Sequence, residues 1–138
     1  MSTKRTFLLA AAIALVAIAP AAGGSAATVT ISHQMRGCHM WQVGNGKPHP
    51  SLSVKVKVGT VLTFVDNDIM SHKLVQSSGP KVRLSHANMN HMSASTSVKL
   101  TQKGIYSFTT KPGEDYKTFT SMHTVGEDYV LHLKVRVA

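Results

Sequence analysis

Apolar and polar side chains alternate in several short segments of this 138-residue chain. The clearest alternation lies at residues 52–58, where leucine and valine side chains are separated by Ser53, Lys55 and Lys57. A second alternating segment closes the chain at residues 129–137. Shorter ones lie at residues 28–32, 41–43, 61–65, 73–75, 95–100 and 105–110. Because a period of two residues is typical of a strand with one buried face, we predict seven or eight short β-strands.

Turn-forming residues separate these segments, at residues 44–50, at Gly59 and at residues 77–80. Two longer polar connections, residues 81–94 and 114–127, lack a regular apolar pattern, and the first could instead be a short helix. No segment has the convincing 3.6-residue apolar spacing of an amphipathic helix. Many short strands joined by glycine and proline turns predict an all-β chain, folded as a Greek-key β-sandwich.

The first 27 residues follow another pattern. Lys4 and Arg5 precede an unbroken apolar run at residues 7–19, and small residues continue to Ala27. This order is typical of a secretory signal, and the run is shorter than the ~20 residues that span a bilayer. We expect cleavage after Ala27, with Ala21 as the alternative. Residues 28–138 would then be one soluble, exported domain, periplasmic or secreted, without a transmembrane segment.

Basic residues outnumber acidic ones by 15 to 6, and the formal net charge is +9. The cations are scattered along the polar positions of the predicted strands, and aromatic residues make up only 6% of the chain. Nucleic acid is therefore a poor candidate partner. An acidic protein or an anionic membrane surface would suit this charge better.

A polar stretch between two predicted strands contains the most informative histidine. The strand at 61–65 stops at Asp66, Asn67 and Asp68, and His72 comes just before the next apolar run. His72 should therefore lie at the rim of a sheet, where a solvated histidine is the simplest interpretation. Neighbouring connections, however, carry further imidazole, thiol and thioether groups: His33, Met35, Cys38, His39, Met40, His86, Met89, His91, Met92, Met122 and His123.

Cys38 is the only cysteine of the chain, so it cannot form an internal disulfide. Exported proteins usually pair their cysteines. Three interpretations remain open for this thiol: a buried inert side chain, an intermolecular bridge, or a metal thiolate.

The segment from Gly59 to Val75 resembles the first copper-ligand region of cupredoxins, in which a glycine turn, a strand, an Asn/Asp cluster and a histidine follow one another. Residues 104–110 resemble the strand that leads to the second ligand region of that family, and residues 129–137 match its final strand. The resemblance covers most of residues 28–138. It implies a cupredoxin-like sandwich with copper at the end that carries His72.

The chain departs from that family at Thr110, which stands where a copper-binding cysteine is expected, and no cysteine follows it. The usual C-terminal Cys-His-Met loop is therefore absent. The resemblance would place the connection after the first strand at the same end as His72, so that Cys38 and His39 could reach the copper from the other side.

Copper electron-transfer sites typically combine two histidines, one cysteine and a weak methionine. The predicted ligands are accordingly Cys38, His39 and His72, with a methionine from Met92 or Met122. Adjacent residues of a strand point to opposite faces, so Cys38 and His39 both ligate only if Gly37 turns the chain. Otherwise His91 or His123 replaces His39. Three remaining candidates are expected to be peripheral or packing residues: His33, Met35 and Met40.

Three functions fit these observations: a copper electron carrier, an exported protein that delivers or stores copper, and a metal-free β-sandwich that acts as an interaction module. We do not expect an enzyme, because no catalytic triad, carboxylate pair or phosphate loop stands out. The missing loop counts against ordinary electron transfer, and the many methionines and histidines favour copper handling. An acidic redox or copper-trafficking protein is the expected partner.

Overall fold

A computed structural model describes residues 24–34, 38–112 and 131–138. These residues form nine strands and no helix. The strands are β1 (Ala26–Gln34), β2 (Cys38–Val43), β3 (Ser51–Val56), β4 (Val61–Asn67), β5 (His72–Ser78), β6 (Asn88–Met89), β7 (Ala94–Lys99), β8 (Gly104–Pro112) and β9 (His132–Val137). Within these ranges there is no helix long and apolar enough to cross a membrane.

The strands form two sheets, one with the order β2-β1-β4-β7 and the other with the order β3-β9-β8-β5-β6. The pairs β1–β4 and β3–β9 are parallel, and the remaining pairs are antiparallel. Apolar side chains from both sheets are buried in one cluster. The predicted all-β sandwich is therefore confirmed.

Aromatic side chains form the centre of the core. The ring centroids of Trp41 and Phe64 are 6.1 Å apart, and those of Phe64 and Phe108 are 4.9 Å apart in an edge-to-face arrangement. Trp41 and Phe64 belong to one sheet and Phe108 to the other, so these contacts join the sheets. Edge-to-face pairs stabilise by about 0.5–1.5 kcal/mol beyond their buried area.

Several strand boundaries differ from the predicted ones, and three of the differences have a clear physical reason. Strand β1 begins at Ala26, ahead of residue 28, because its first residues pair with β4. Strand β3 ends at Val56, and Val58 is 41% exposed, because the chain turns at Gly59 with a φ of 86°. The two-residue strand β6 lies inside the polar connection predicted at residues 81–94 and is held by its pairing with β5.

Candidate metal centre

The inward-facing positions of three neighbouring strands change from apolar to polar at one end of the four-stranded sheet. Ile31 on β1 pairs with Trp41 on β2, and both side chains are fully buried. One inward position further along, His33 pairs with His39. Asp68 follows β4, the other neighbour of β1, and contacts both histidines. Because alternate residues of a strand share a face, these polar groups continue the apolar rows of the core.

His72, the first residue of β5, reaches the same place from the second sheet. Its ring centroid is 4.8 Å from that of His39, with the rings edge to face. We call the following set the polar layer: His33, His39, Asp66, Asp68 and His72.

Asp68 is the centre of the polar layer. Its carboxylate is fully buried and accepts hydrogen bonds on both oxygens. His33 Nδ1 donates to Oδ1 at 2.9 Å, and the backbone N–H of Ile69 donates to the same oxygen at 2.7 Å. His72 Nε2 donates to Oδ2 at 2.8 Å, and His39 Nδ1 also contacts Oδ2. One carboxylate thus orients three imidazole rings that come from two sheets.

The two carboxyl groups of the polar layer have opposite pKa shifts. Burial raises the pKa of Asp66 to about 7, because its charged form is poorly solvated there. Burial acts in the same direction on Asp68, but hydrogen bonds and electrostatic attraction from His39 and His72 outweigh it and hold its pKa below the usual range. Asp68 is therefore the ionised group at neutral pH.

Two buried polar atoms in the layer have neither a hydrogen bond nor an ion-pair contact among the described residues. They are Nε2 of His39 and Oδ2 of Asp66. The other oxygen of Asp66 accepts the backbone N–H of Asp68 at 3.0 Å. A buried polar atom without a partner destabilises a fold by about 1–3 kcal/mol, so each such atom calls for an explanation.

Cross-strand neighbours of His72 add two further buried groups at this end of the sandwich. Met89 on β6 is directly opposite His72, and its side chain is fully buried. Thr110 on β8, at the position where the family resemblance led us to expect a cysteine, is also fully buried. Its hydroxyl oxygen accepts the backbone N–H of Leu131 at 3.1 Å.

Among the predicted copper ligands, His39 and His72 are brought together in the polar layer. Cys38 is the first residue of β2 and pairs with Gln34, but its side chain lies outside the described part of the structure, as does Met122. Cys38 and His39 both belong to β2, so the chain does not turn between them.

His91 and Met92 are not members of the polar layer. Both are exposed, Met92 by 51%, in the turn that follows β6. His91 Nδ1 donates to the carbonyl of Met92 at 3.0 Å, so this nitrogen has its hydrogen-bond partner within the turn. The backbone of this turn contacts the polar layer, where the N–H of Ser93 donates to the carbonyl of Asp66 at 2.6 Å.

The sequence analysis missed three members of the polar layer: His33, Asp66 and Asp68. His33 was expected to be peripheral, and the acidic residues were seen only as the end of a strand. A usable signal was present, however. Continuing the inward period of β1 and β4 by one or two positions past the last apolar residue leads to these side chains. What the sequence does not supply is the pairing of β1 with β4.

No protein-family model and no curated protein matches this sequence. Solved structures are similar to it. One is a purple cupredoxin from Nitrosopumilus maritimus, 15% identical over 81% of this chain and 99% of that chain, with a TM-score of 0.47. Another is a copper(I) form of an amicyanin variant, 19% identical over 83% of each chain, with a TM-score of 0.45. A cysteine protease inhibitor from Entamoeba histolytica is 5% identical over 84% and 98%, with a TM-score of 0.45.

The fold is an all-β sandwich of two mixed sheets, and this conclusion rests on the strand pairings of the chain itself. The chemistry of the polar layer is a separate matter, because identities below 20% and TM-scores below 0.5 carry no argument about a site.

Proposed function

We propose that this chain is an exported copper-binding protein that holds one copper ion where His39 and His72 meet. The observation that carries the proposal is the buried Nε2 of His39, which lacks a partner within the described ranges and lies on a ring in contact with His72. A metal bound to this nitrogen would remove the free-energy penalty of an unpartnered buried atom.

The available donors suit copper. Imidazole binds both oxidation states of copper, and thiolate and thioether groups favour Cu(I). Cys38 is adjacent to His39 in β2, and Met89 is opposite His72. We therefore propose Cys38, His39, His72 and Met89 as the ligand set. Neighbouring residues of a strand point to opposite faces, so this set requires the Cys38 side chain to turn back toward His39 at the first residue of β2. Met89 takes the place for which Met92 or Met122 was predicted, because it is buried beside His72 whereas Met92 is exposed.

Asp68 would support this site without ligating the copper. It engages Nδ1 of His39 and Nε2 of His72, which leaves the other nitrogen of each ring for a metal. A carboxylate behind a histidine ligand fixes the tautomer and the ring orientation and makes the ligand more basic. The fully buried Trp41, one inward position below His39, would exclude water from beneath the site.

A copper ion held in this way could exchange electrons or be passed to a partner. The scattered surface cations favour an acidic redox or copper-trafficking protein as that partner. Nothing in the donor set requires an enzyme, and we propose none.

Copper titration of the exported protein tests the proposal. With Cu(II), an intense thiolate-to-copper absorption band would indicate a redox site. A colourless protein that binds Cu(I) would indicate delivery or storage. Absence of copper binding in both oxidation states would contradict the proposal.

Substitutions of the proposed ligands test where the copper ion binds. Cys38→Ser, His39→Ala and His72→Ala should each weaken Cu(I) binding by more than about tenfold. The double variant of Cys38 and His72 should lose little more than either single one, because the two residues act as a unit. His132→Ala is the matched control, since that histidine is exposed on β9. Equal affinity of Cys38→Ser and the unaltered protein would place the copper elsewhere.

A metal-free interaction module is the second candidate, and one observation favours it. The Asp68 carboxylate already has a hydrogen-bonding partner on both oxygens without any metal. The polar layer would then be a buried ion-pair network that specifies the pairing of the two sheets. Copper titration separates this candidate from the first.

A further inference from the structure

We infer that the polar layer also contains a second metal site, formed by His33, His39 and Asp68, which binds a divalent cation such as Zn²⁺ independently of the Cys38 thiol. This site lies on the Asp68 side of the imidazole rings. The proposed copper site lies on the opposite side of His39, where Nε2 has no described partner. The two sites share His39 but use different nitrogens, so occupation of both at once would release the N–H proton of that imidazole.

The strand register creates this ligand set. His33 and His39 are directly paired across β1 and β2, and Asp68 follows β4, the other neighbour of β1. One potential ligand atom from each of the three residues lies within 4.8 Å of the other two. Tetrahedral ligands about 2.1 Å from a zinc ion are about 3.4 Å apart. A zinc ion would therefore replace the direct contacts of His33 and His39 with Asp68, and the ligand atoms would have to shift by roughly 1 Å.

The donors are imidazole nitrogens and a carboxylate oxygen, without a sulfur. Such donors suit Zn²⁺ and Cu²⁺, whereas Cu(I) prefers thiolate and thioether. Two histidines and one carboxylate also form a known type of zinc site with three protein ligands and one open position. Asp68 supplies a buried carboxylate, and its two oxygens face the two histidines of the site.

A second observation points to a cation at this place. Oδ2 of Asp66 is buried and has no partner in the described part of the chain. Asp66, Asp68 and His72 also offer ligand atoms within 4.8 Å of one another. A divalent ion beside Asp68 would place positive charge next to this otherwise uncompensated oxygen.

The surroundings meet two further requirements of a metal site. Supporting groups are present, because Ile69 N–H and His72 Nε2 both donate to Asp68 and hold its carboxylate in place. An access route is present as well, because the His33 side chain is 39% exposed whereas those of His39 and Asp68 are buried. An ion could reach the site past His33.

Zinc titration of the metal-free exported protein, with a chromophoric chelator as competitor, tests the inference. Zinc is redox-inert, so the titration measures metal binding without any change in the oxidation state of the metal. We expect one zinc ion per chain, and we expect His33→Ala to weaken zinc binding by at least about tenfold. His132→Ala, which removes an exposed histidine of β9, should leave zinc affinity unchanged. His33 is half-exposed, so its replacement should not unfold the protein, which circular dichroism would verify.

Cys38→Ser distinguishes this inference from the proposed function. Zinc affinity should be unchanged in Cys38→Ser, whereas Cu(I) affinity should fall. Zinc binding that depends on Cys38 and not on His33 would place zinc at the thiol and overturn the second site, while the copper proposal would stand. Absence of zinc binding would also contradict the second metal site. Conversely, Cu(I) affinity that is unaffected in Cys38→Ser would contradict the proposed function and leave the zinc site intact.

Discussion

At the scale of single residues, the two aspartates that follow the β4 apolar run have opposite roles. Asp68 is surrounded by donors and keeps its charge, whereas Asp66 accepts one backbone N–H and leaves one buried oxygen without a described partner. The same side-chain chemistry is thus ionised at one position, whereas at the other the pKa is raised to about 7, so that the carboxyl group is near its midpoint at neutral pH. Burial is common to both positions, so the imidazoles around Asp68 make the difference.

The raised pKa of Asp66 predicts how stability depends on pH. The folded state binds the proton more tightly than the unfolded chain, so this group stabilises the fold fully below about pH 4 and loses that contribution as pH rises to about 7. Asp66→Asn cannot titrate. The free energy of unfolding of the unaltered, metal-free protein should therefore fall relative to Asp66→Asn between pH 4 and 7, by up to about 1.4 kcal/mol per pH unit.

Urea unfolding of both proteins across this range would measure the difference. Asp68, His39 and His72 face Asp66 in both proteins, so a difference between the two pH profiles reports changes that depend on the Asp66 carboxyl group. Parallel pH profiles would show that Asp66 is ionised in the folded protein as it is in the unfolded chain.

Met89 offers a second test at residue scale. Met89→Leu conserves volume in the core and should lower stability by less than about 1.5 kcal/mol. If the thioether binds copper beside His72, the same change should weaken Cu(I) binding by about tenfold. Met92→Leu is the control, because Met92 is 51% exposed. A loss of affinity in Met92→Leu alone would exclude Met89 from the ligand set.

At the scale of strands, the alternation of apolar and polar residues was sufficient to predict most of the fold. It identified β3, β4, β7, β8 and β9 and the alternately buried positions of β9. It missed β6, because two residues are too few to show a period. It also ended β1 too early, because His33 interrupts the apolar row while remaining in the strand.

Alternation along one strand does not reveal which strand lies next to it, and this limits site prediction. His39 and His72 could be proposed from the sequence because His39 is next to Cys38 and His72 follows the Asn/Asp cluster. Asp68 could not, because its importance comes from three histidines brought to it by β1, β2 and β5. A period of two fixes which face of a strand is buried and so excludes a shift by one residue, but it does not reveal which strands are neighbours.

Register also predicts an unfavourable contact on the outer face of the five-stranded sheet. Lys73 on β5 is directly opposite Lys111 on β8, and both are exposed. Like charges at such positions are destabilising. Lys111→Glu should therefore raise the free energy of unfolding by about 0.5 kcal/mol at low salt, and the gain should shrink as salt screens the pair.

Lys99→Glu is the matched control for this pair. Lys99 is also an exposed strand residue, but its cross-strand partner is Val61. Urea unfolding at low and high sodium chloride concentration would compare the variants. An equal change in stability for both would show that the net charge of the chain matters and the local pair does not.

At the scale of the whole molecule, acidic residues are distributed unevenly. Within the described ranges the only carboxylate side chains are those of Asp66 and Asp68, and both are buried. The described outer surface therefore carries lysine and arginine side chains without an acidic side chain between them. This distribution supports the proposal of an acidic partner, and the polar layer contains the only acidic side chains of the described ranges.

The N-terminal end of the sandwich also bears on export. Ala26 and Ala27 pair with Val61 and Leu62 of β4. Just before them, the carbonyl of Ser25 accepts the N–H of Val61 at 2.9 Å, and its hydroxyl lies 2.6 Å from that of Thr60. Signal cleavage after Ala27 would remove these contacts, whereas cleavage after Ala21 would keep them.

Two mature chains, beginning at Ala22 and at Thr28, should therefore differ in stability. We expect the longer one to be more stable by about 1–2 kcal/mol, the contribution of one or two hydrogen bonds. Urea unfolding would measure this difference, and the mass of the exported protein would show which chain the cell makes. Equal stability would mean that the pairing ahead of residue 28 contributes nothing to the sandwich. An exported chain that still begins at Met1 would contradict the signal sequence itself.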